Sequence, residues 1–280
     1  MKVCTTIADS RRALQGCTHP IGAILTMGAL HEGHLALVRQ ARKECPTVVA
    51  SIYVNPTQFG DQADLAIYPR NIQKDIRMLR DEGVDIVFTP IDSEMYPKEF
   101  GMWVEPGKVA GRLEGEHRPG HFRGVCTIVL KLFNTFHPDR SYFGQKDAQQ
   151  LMVIRRMVEE LALGIDIIAV PTVREHDGLA LSSRNMNLSH AERQAAPVLY
   201  RALCLAKEFA MRGQGNTAHV REAMRECIAK EALATVDYVS IADAETLEEL
   251  TAIDRPAVAS LAVTIGTTRL IDNVLLAKAG

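Results

Sequence analysis

The sequence lacks paired cysteines, basic blocks and long apolar runs, and each absence removes a class of protein. Among its 280 residues are 6 cysteines, at positions 4, 17, 45, 126, 204 and 227, and none forms a CxxC pair. Zinc ribbons need close pairs and disulfide frameworks belong to short secreted chains, so buried free thiols are expected. Lysine and arginine number 32 against 34 acidic residues, for a net charge of -2, and no basic cluster stands out. Neutralising nucleic-acid phosphates needs such a cluster, so no nucleic-acid partner is expected. No apolar run approaches the ~18 residues that span a bilayer, so no membrane partner is expected either. The opening stretch MKVCTTIADSRR reaches Asp9, Arg11 and Arg12 before a secretory apolar region can form. A cytoplasmic location is the expectation.

What is present is ordinary globular material, 47% hydrophobic and 24% charged. That length makes one large domain or two modest ones. Along the first half, β-rich runs alternate with helical periodicity. Residues 22–27 (GAILTM) read as a strand, 34–44 as a helix with Leu35, Val38 and Ala41 inward, and 47–54 as the next strand. A helix over 71–82, with Ile72, Ile76 and Leu79 on one face, stops at Gly83; a strand over 84–89 ends before Pro90. Residues 91–124 are rich in Gly, Pro and charge and read as irregular, which inside a compact domain points to function. A helix near 126–136, a strand at 141–143, a helix at 147–162 and a strand at 166–173 complete the alternation. The pattern predicts an α/β fold with a doubly wound, mostly parallel sheet. Past residue 176, helices at 190–212 and 217–234 are followed by strands at 236–242, 257–265 and 269–276. The expected division is therefore 1–176 and a smaller α+β domain, 177–280.

Chemistry-bearing residues gather at strand ends and at the domain junction. Between the first of those strands and its helix lies Thr26-Met27-Gly28-Ala29-Leu30-His31-Glu32-Gly33-His34. Its glycines allow a tight turn, and His31 and His34, three apart, reach one side of a helical first turn beside the positive dipole end. Imidazole donors there suit a phosphate; exposed turn histidines are the alternative. A zincin HExxH reading fails on spacing. After the strand at 141–143 comes Phe143-Gly144-Gln145-Lys146-Asp147, where an ammonium can meet a phosphate and Asp147 can cap a helix. The loop Asp177-Gly178-Leu179-Ala180-Leu181-Ser182-Ser183-Arg184-Asn185 offers two hydroxyls and a guanidinium to phosphate oxygens, or serves as a linker with capping serines. Gln58, in Asn55-Pro56-Thr57-Gln58-Phe59-Gly60, and Gln150 face the same strand ends. Neutral amides can orient a substrate carboxylate without pairing it too tightly to react.

The HxGH turn and the SSR loop resemble the HIGH and KMSKS signatures of the adenylate-forming nucleotidylyltransferases. More closely, the chain resembles the pantoate–β-alanine ligase (pantothenate synthetase) family. TMGALHEGH, VNPTQF, YPR, LEG..RPGHF.GV.T.V.KLF, FGxKD..Q and DGLALSSRN occur in that family's order, over about residues 20–190. The resemblance implies a Rossmann-like N-terminal domain, a C-terminal lid domain, a homodimer and Mg-ATP (ATP as substrate, with Mg2+). It implies ATP binding by Met27, Gly28, Ala29, Leu30, His31, Glu32, Gly33 and His34, with His34 catalytic and on phosphate. Gly144, Gln145, Lys146, Asp147, Val173, Leu181, Ser182, Ser183 and Arg184 complete that site by the same resemblance. Gln58 then touches pantoate and β-alanine, and Gln150 touches pantoate.

Two positions depart from the family. Gln145 stands where the family usually has Glu, removing a negative charge beside Lys146. Leu181 stands where it usually has Met, a near volume-conserving change. The implied reaction condenses (R)-pantoate with β-alanine through a pantoyl adenylate, releasing pyrophosphate and AMP. His34, His31, Lys146, Ser182, Ser183 and Arg184 are the expected donors to the phosphates. Rival readings are a nucleotidylyltransferase that leaves the nucleotide on its product and a non-catalytic nucleotide-binding module; a tRNA synthetase is disfavoured by the missing basic surface.

Overall fold

The alternating runs of the first half form a six-stranded sheet in the computed structural model, which describes residues 1–60 and 65–276 in full and 62–64 by backbone alone. In chain order the elements are β1 (Lys2–Cys4), α1 (Ile7–Leu14), β2 (Ile21–Thr26), α2 (Glu32–Glu44), β3 (Thr47–Ile52), α3 (Gln62–Ile67), α4 (Ile72–Asp81) and β4 (Ile86–Phe88). Short helices α5 (Asp92–Met95) and α6 (Glu114–His117) precede α7 (His121–Phe136), β5 (Arg140–Gly144), α8 (Ala148–Glu160) and β6 (Asp166–Val170). The strand order is β1-β4-β3-β2-β5-β6, and every pairing is parallel. The chain winds outward from β2 to β3 and β4, then resumes on the other side of β2 with β5. That reversal puts a switch point at the carboxyl ends of β2 and β5, where open α/β sheets bind ligands.

Helices cover both sheet faces, so the central strands carry near-continuous apolar runs. One core joins Ala23, Val49 and Phe88 to Leu132, Phe133 and Phe136 of α7 and Ile154 of α8. The other joins Ile24, Val48 and Val87 to Val38 and Ala41 of α2 and Leu79 of α4. α4 differs from its expected stripe: Ile72 is exposed, and Asp75 takes a buried place beside Leu79.

Within 91–124 the backbone is more regular than the composition suggests. α7 begins at His121 after the left-handed Gly120 (φ +80), ahead of the expected start at 126. On α7, a Cβ added to Gly124 would lie 2.4 Å from the Thr57 carbonyl, so glycine lets the helix press against the 3₁₀ turn Pro56–Gln58. Elements β1 and α1 escaped the sequence reading, being short and weakly patterned.

Compactness divides the chain into residues 1–145 with 149–171, and residues 146–148 with 172 onward. In the second unit the single helix expected over 190–212 is two, α9 (His190–Ala195) and α10 (Val198–Met211). Pro197 sits between them, because proline has no N–H to continue the ladder. After α11 (Thr217–Ala229), the strands β7 (Ala234–Asp243), β8 (Ala257–Ile265) and β9 (Thr268–Leu276) form an antiparallel sheet in that order. Val220, Met224 and Ile228 of α11 and Leu199 and Leu203 of α10 pack with Ala259, Leu261 and Val263 of β8. All the cysteines are free, but only Cys4, Cys45 and Cys126 are fully buried; Cys17, Cys204 and Cys227 are half-buried, so the expectation of buried thiols holds for part of the set. Burial pushes the Cys126 thiol up to about 12. Among the described residues no helix is long and apolar enough to cross a membrane.

Candidate active site

The turn after β2 is built by short-range bonds and one distant carboxylate. Thr26 Oγ1 donates to the Ser51 carbonyl (2.7 Å) and accepts from the Gly28 amide (3.2 Å). The backbone then passes through positive φ at Gly28 (+82) and Ala29 (+51). A side chain at Gly28 would meet the Asp75 carboxylate at 2.9 Å, which explains glycine there. Asp75 accepts from the amides of Ala29 and Leu30, both at 2.9 Å. Those two amides are committed to Asp75, and Leu30 is buried in the core, so ligand donors in this stretch come from its neighbours.

His31 is the N-cap of α2 with extended backbone (φ -140, ψ 175), not a residue of its first turn as expected. Its Nδ1 accepts from the Gly33 amide at 3.1 Å, and Nδ1 of His34 accepts from the His31 amide at 3.3 Å. This reciprocal capping box brings the rings to a centroid distance of 4.1 Å, on one side as expected. With Nδ1 an acceptor, each neutral ring carries its proton on Nε2. Two Nε2–H donors therefore stand at the positive end of a helix dipole. Met27 is half-buried, and its sulfur accepts from Gln58 Nε2 at 2.8 Å.

Gln58 is buried and its amide is oriented from both sides. Asn55 Nδ2 donates to Gln58 Oε1 (3.1 Å) and to the Gly124 carbonyl (3.2 Å); Tyr96 and Thr57 hydroxyls donate to Asn55 Oδ1. His121 Nδ1 lies 2.8 Å from the Gln58 carbonyl and Arg118 donates to the same oxygen at 3.4 Å. Burial raises the Tyr96 phenol, keeping it protonated as that donor. On α8 the glutamine with resolved bonds is Gln149, which ties the carbonyls of Val109 and Arg112 and the amide of Glu114. Gln150 is half-buried one residue on.

The sequence reading gave no role to Asp75, Asn55, Arg118, His121 or Gln149. An acid on the apolar stripe of α4 was the available signal for Asp75. Arg118, His121 and Gln149 act through contacts tens of residues away, and Asn55 joins Gln58 three residues on to Gly124 sixty-nine residues on, which no local pattern announces.

β5 runs through Gly144 into a 3₁₀ turn, Gln145–Asp147, so Asp147 ends a turn that leads directly into α8. The Lys146 ammonium lies 3.3 Å from Asp147 Oδ1. Further on, Arg174 and Ala180 pair as an antiparallel bridge, and the Leu181 amide donates to the Val173 carbonyl at 3.0 Å. Val173 and Leu181 are thus facing ends of a small hairpin whose turn passes through Gly178 (φ +91), against the Tyr200 ring. Ser182 caps the 3₁₀ turn Ser183–Asn187, its Oγ accepting from the Arg184 amide at 3.3 Å; its hydroxyl proton stays able to donate. Asp177 is held below the usual carboxylate range by its 2.7 Å bond to Arg193. In the second unit Lys146, Ser182, Arg184 and Arg269 line one cleft, with Asp272 in its wall. Cations and hydroxyls around a cleft suit an anionic ligand.

Comparison with known proteins gives the family. The family model described as Pantoate-beta-alanine ligase matches residues 2–275. The curated pantothenate synthetase of Roseiflexus sp. (strain RS-1) is 54% identical over 279 residues, 99% of each chain. That of Chloroflexus aurantiacus (strain ATCC 29366 / DSM 635 / J-10-fl) is 53% identical over 281 residues, 100% of each. The crystal structure of pantothenate synthetase from Thermus thermophilus matches with TM-score 0.95 at 45% identity, covering 99% of this chain and 100% of that one. Pantoate-beta-alanine ligase from Francisella tularensis, complexed with beta-gamma ATP and beta-alanine, matches with TM-score 0.82 at 34% identity, covering 98% and 97%. Fold and relatives together define an α/β ligase. The chain belongs to the pantoate-beta-alanine ligase family.

Proposed function

We propose that this chain condenses (R)-pantoate with β-alanine in two steps at the residues just described. The pantoate carboxylate, ionised at pH 7 given a carboxyl pKa of roughly 4, attacks the α-phosphorus of ATP without a general base. The bond to the β-phosphate breaks, pyrophosphate leaves, and pantoyl adenylate remains. The neutral amine of β-alanine then attacks the acyl carbon, loses a proton, and expels AMP. Catalysis is positioning plus stabilisation of charge on the phosphates.

The observation that carries this reading is the capping box of His31 and His34, which sets two Nε2–H donors at the end of β2. In this assignment His34, His31, Lys146, Ser182, Ser183 and Arg184 hold phosphate oxygens. Met27, Gly28, Ala29, Leu30, Glu32, Gly33, Gly144, Gln145, Asp147, Val173 and Leu181 shape the ATP site around them. The Gln58 amide, its oxygen held by Asn55, offers N–H to pantoate and β-alanine, and Gln150 to pantoate. ATP and β-alanine as ligands are supported by the complex of the Francisella tularensis relative.

Magnesium enters here as Mg-ATP. The described residues contain no cluster of three potential ligands, which fits an ion coordinated chiefly by phosphate oxygens and water. The reading extends to a cytoplasmic homodimer and to a lid role for the C-terminal domain, whose Ser182–Arg184 segment shields the adenylate from water. In Arg184→Ala the lid role requires AMP in excess of pantothenate; a one-to-one ratio leaves only the phosphate contact.

The test is pyrophosphate release from ATP and pantoate, with and without β-alanine, followed by product analysis. AMP and pantothenate in equal amounts with β-alanine support the reading. Pyrophosphate with the nucleotide retained on the product, or no turnover, overturns it.

A further inference from the structure

β9 carries a buried polar pair, Asp272 and Asn273, in a strand otherwise made largely of apolar residues and both below 5% exposure (3% and 4%). Buried polar side chains need partners, and the partners of this pair are the two turns that line the cleft. Asn273 Nδ2 donates to the backbone carbonyl of Lys146 at 2.7 Å. Asp272 takes both prongs of the Arg174 guanidinium, at 2.6 and 2.9 Å, and the Asn273 amide at 2.8 Å. Arg174 in turn donates to the Gly178 carbonyl at 3.0 Å and stacks over the Tyr200 ring, 4.2 Å from its centroid. Neighbouring residues of one strand thereby grip the backbone of Lys146 and, through Arg174, the turn that leads to Ser182 and Arg184.

We propose that Asn273 and Asp272 are positioning residues for adenylate formation, Asn273 fixing the backbone from which Lys146 reaches the phosphates and Asp272 fixing the Arg174 hairpin. The inference rests on the phosphate role given to Lys146 above. An ammonium acts as a point charge on a flexible stem, so its placement depends on where the stem begins. A misplacement of about 1 Å can cost about a hundredfold in rate. Ser182 and Arg184 lie past a hairpin held by backbone bonds, by the Arg174 fork on the Gly178 carbonyl, by Asp177 on the Leu179 amide and by Asn185 on the Ala180 carbonyl. Forked Arg–carboxylate pairing adds geometric specificity as well as energy, which a positioning role needs.

A pair that merely satisfied buried groups would lower stability without acting through Lys146. A double-mutant cycle separates the two. Pyrophosphate release in a single turnover at saturating ATP and pantoate is measured for wild type, Asn273→Ala, Lys146→Ala and the double variant, with the KM for pantoate and the melting temperature of each. The positioning role predicts that Asn273→Ala slows adenylation by about tenfold, equivalent to about 1.4 kcal/mol, with pantoate KM unchanged. In the Lys146→Ala background the same change should alter the rate less than twofold. An equal loss in both backgrounds, or no loss in the wild-type background, overturns the proposal and leaves Lys146 in place. A Lys146→Ala enzyme as fast as wild type instead overturns the phosphate role of Lys146 and the positioning role with it. Where Asn273→Ala does not accumulate as folded protein, Arg174→Lys keeps the charge opposite Asp272 and removes the fork. It should slow adenylation in the presence of Arg184 and have little effect in Arg184→Ala; equal effects in the two overturn the proposal.

Discussion

The two turns assigned to the phosphates are held in opposite ways. The His31–His34 turn closes on itself: its bonds run between residues two or three apart, from Gly33 to His31 and from His31 to His34. The Lys146 turn and the Arg174 hairpin that leads to Ser182 and Arg184 are tied to β9, with partners 98 to 127 residues away. A locally closed turn keeps its geometry wherever the chain places it. A turn held by long-range contacts has geometry only once the second unit has folded. Both are visible in sequence as short motifs, but only the first carries a reciprocal capping box within the motif, and the bonds of the second to β9 leave it.

The largest expected effect tests the self-contained turn. His34→Ala removes a donor and half of the capping box together. Adenylate formation should slow by ~10²–10³-fold, the scale of losing one transition-state donor. The cap itself contributes about 1 kcal/mol, so the fold should persist. Single-turnover rates near wild type would remove His34 from the reaction.

Asp75 is the exception inside that comparison, a distant anchor for the local turn. In Asp75→Asn one carboxylate oxygen becomes an NH2 group facing a backbone amide, leaving a buried N–H without a partner. Stability should fall by about 1–3 kcal/mol, seen in thermal melts. If the anchor also sets the histidines, adenylation should slow by about tenfold, roughly 1.4 kcal/mol. A lowered melting temperature with a full single-turnover rate would confine Asp75 to holding the fold.

How much was legible follows the same line. The strands other than β1, the α2 and α4 helices and the HxGH turn announce themselves through period, glycine and spacing, all within about a dozen residues. Asn55, at the start of the 3₁₀ turn Pro56–Gln58, reaches Gly124 of α7, while His121 and Arg118 reach that turn from α7 and its approach, in a stretch whose Gly and Pro content hid a helix start. Asp272 and Asn273 sat in an apolar run and read as strand, which they are, while their bonds lie outside any window. Pro197 marks the break between α9 and α10, which the alanine-rich periodicity on both sides masks.

Acid should loosen the hairpin loop that carries Asp177. Asp177 titrates lower in the folded chain than in the unfolded one, because Arg193 bonds its carboxylate. The folded state thus binds that proton less readily; the stabilisation is complete above the ordinary carboxylate range near pH 4 and is lost as pH falls below it. Arg193→Gln should therefore lower the melting temperature at pH 7 by an amount worth about 1 kcal/mol or less, and the gap should close toward pH 3. A gap of constant size across that range would show that the pair contributes through packing alone.

The smallest effect is expected where this chain departs from its family. Gln145→Glu places a carboxylate next to Lys146, which already lies 3.3 Å from Asp147. A second acid can pull the ammonium away from a phosphate, or it can help hold the magnesium of Mg-ATP; the two influences oppose each other. At half-exposed positions a charge pair near 4 Å is worth about 1 kcal/mol in water, before cancellation. The Lys146 backbone is meanwhile set by Asn273, not by its neighbour's side chain. The net change in adenylation rate should stay below roughly threefold, about 0.6 kcal/mol. Single-turnover rates across a magnesium titration would show it. A tenfold gain at limiting magnesium would mean that the family's carboxylate places the metal and that this chain works without that help.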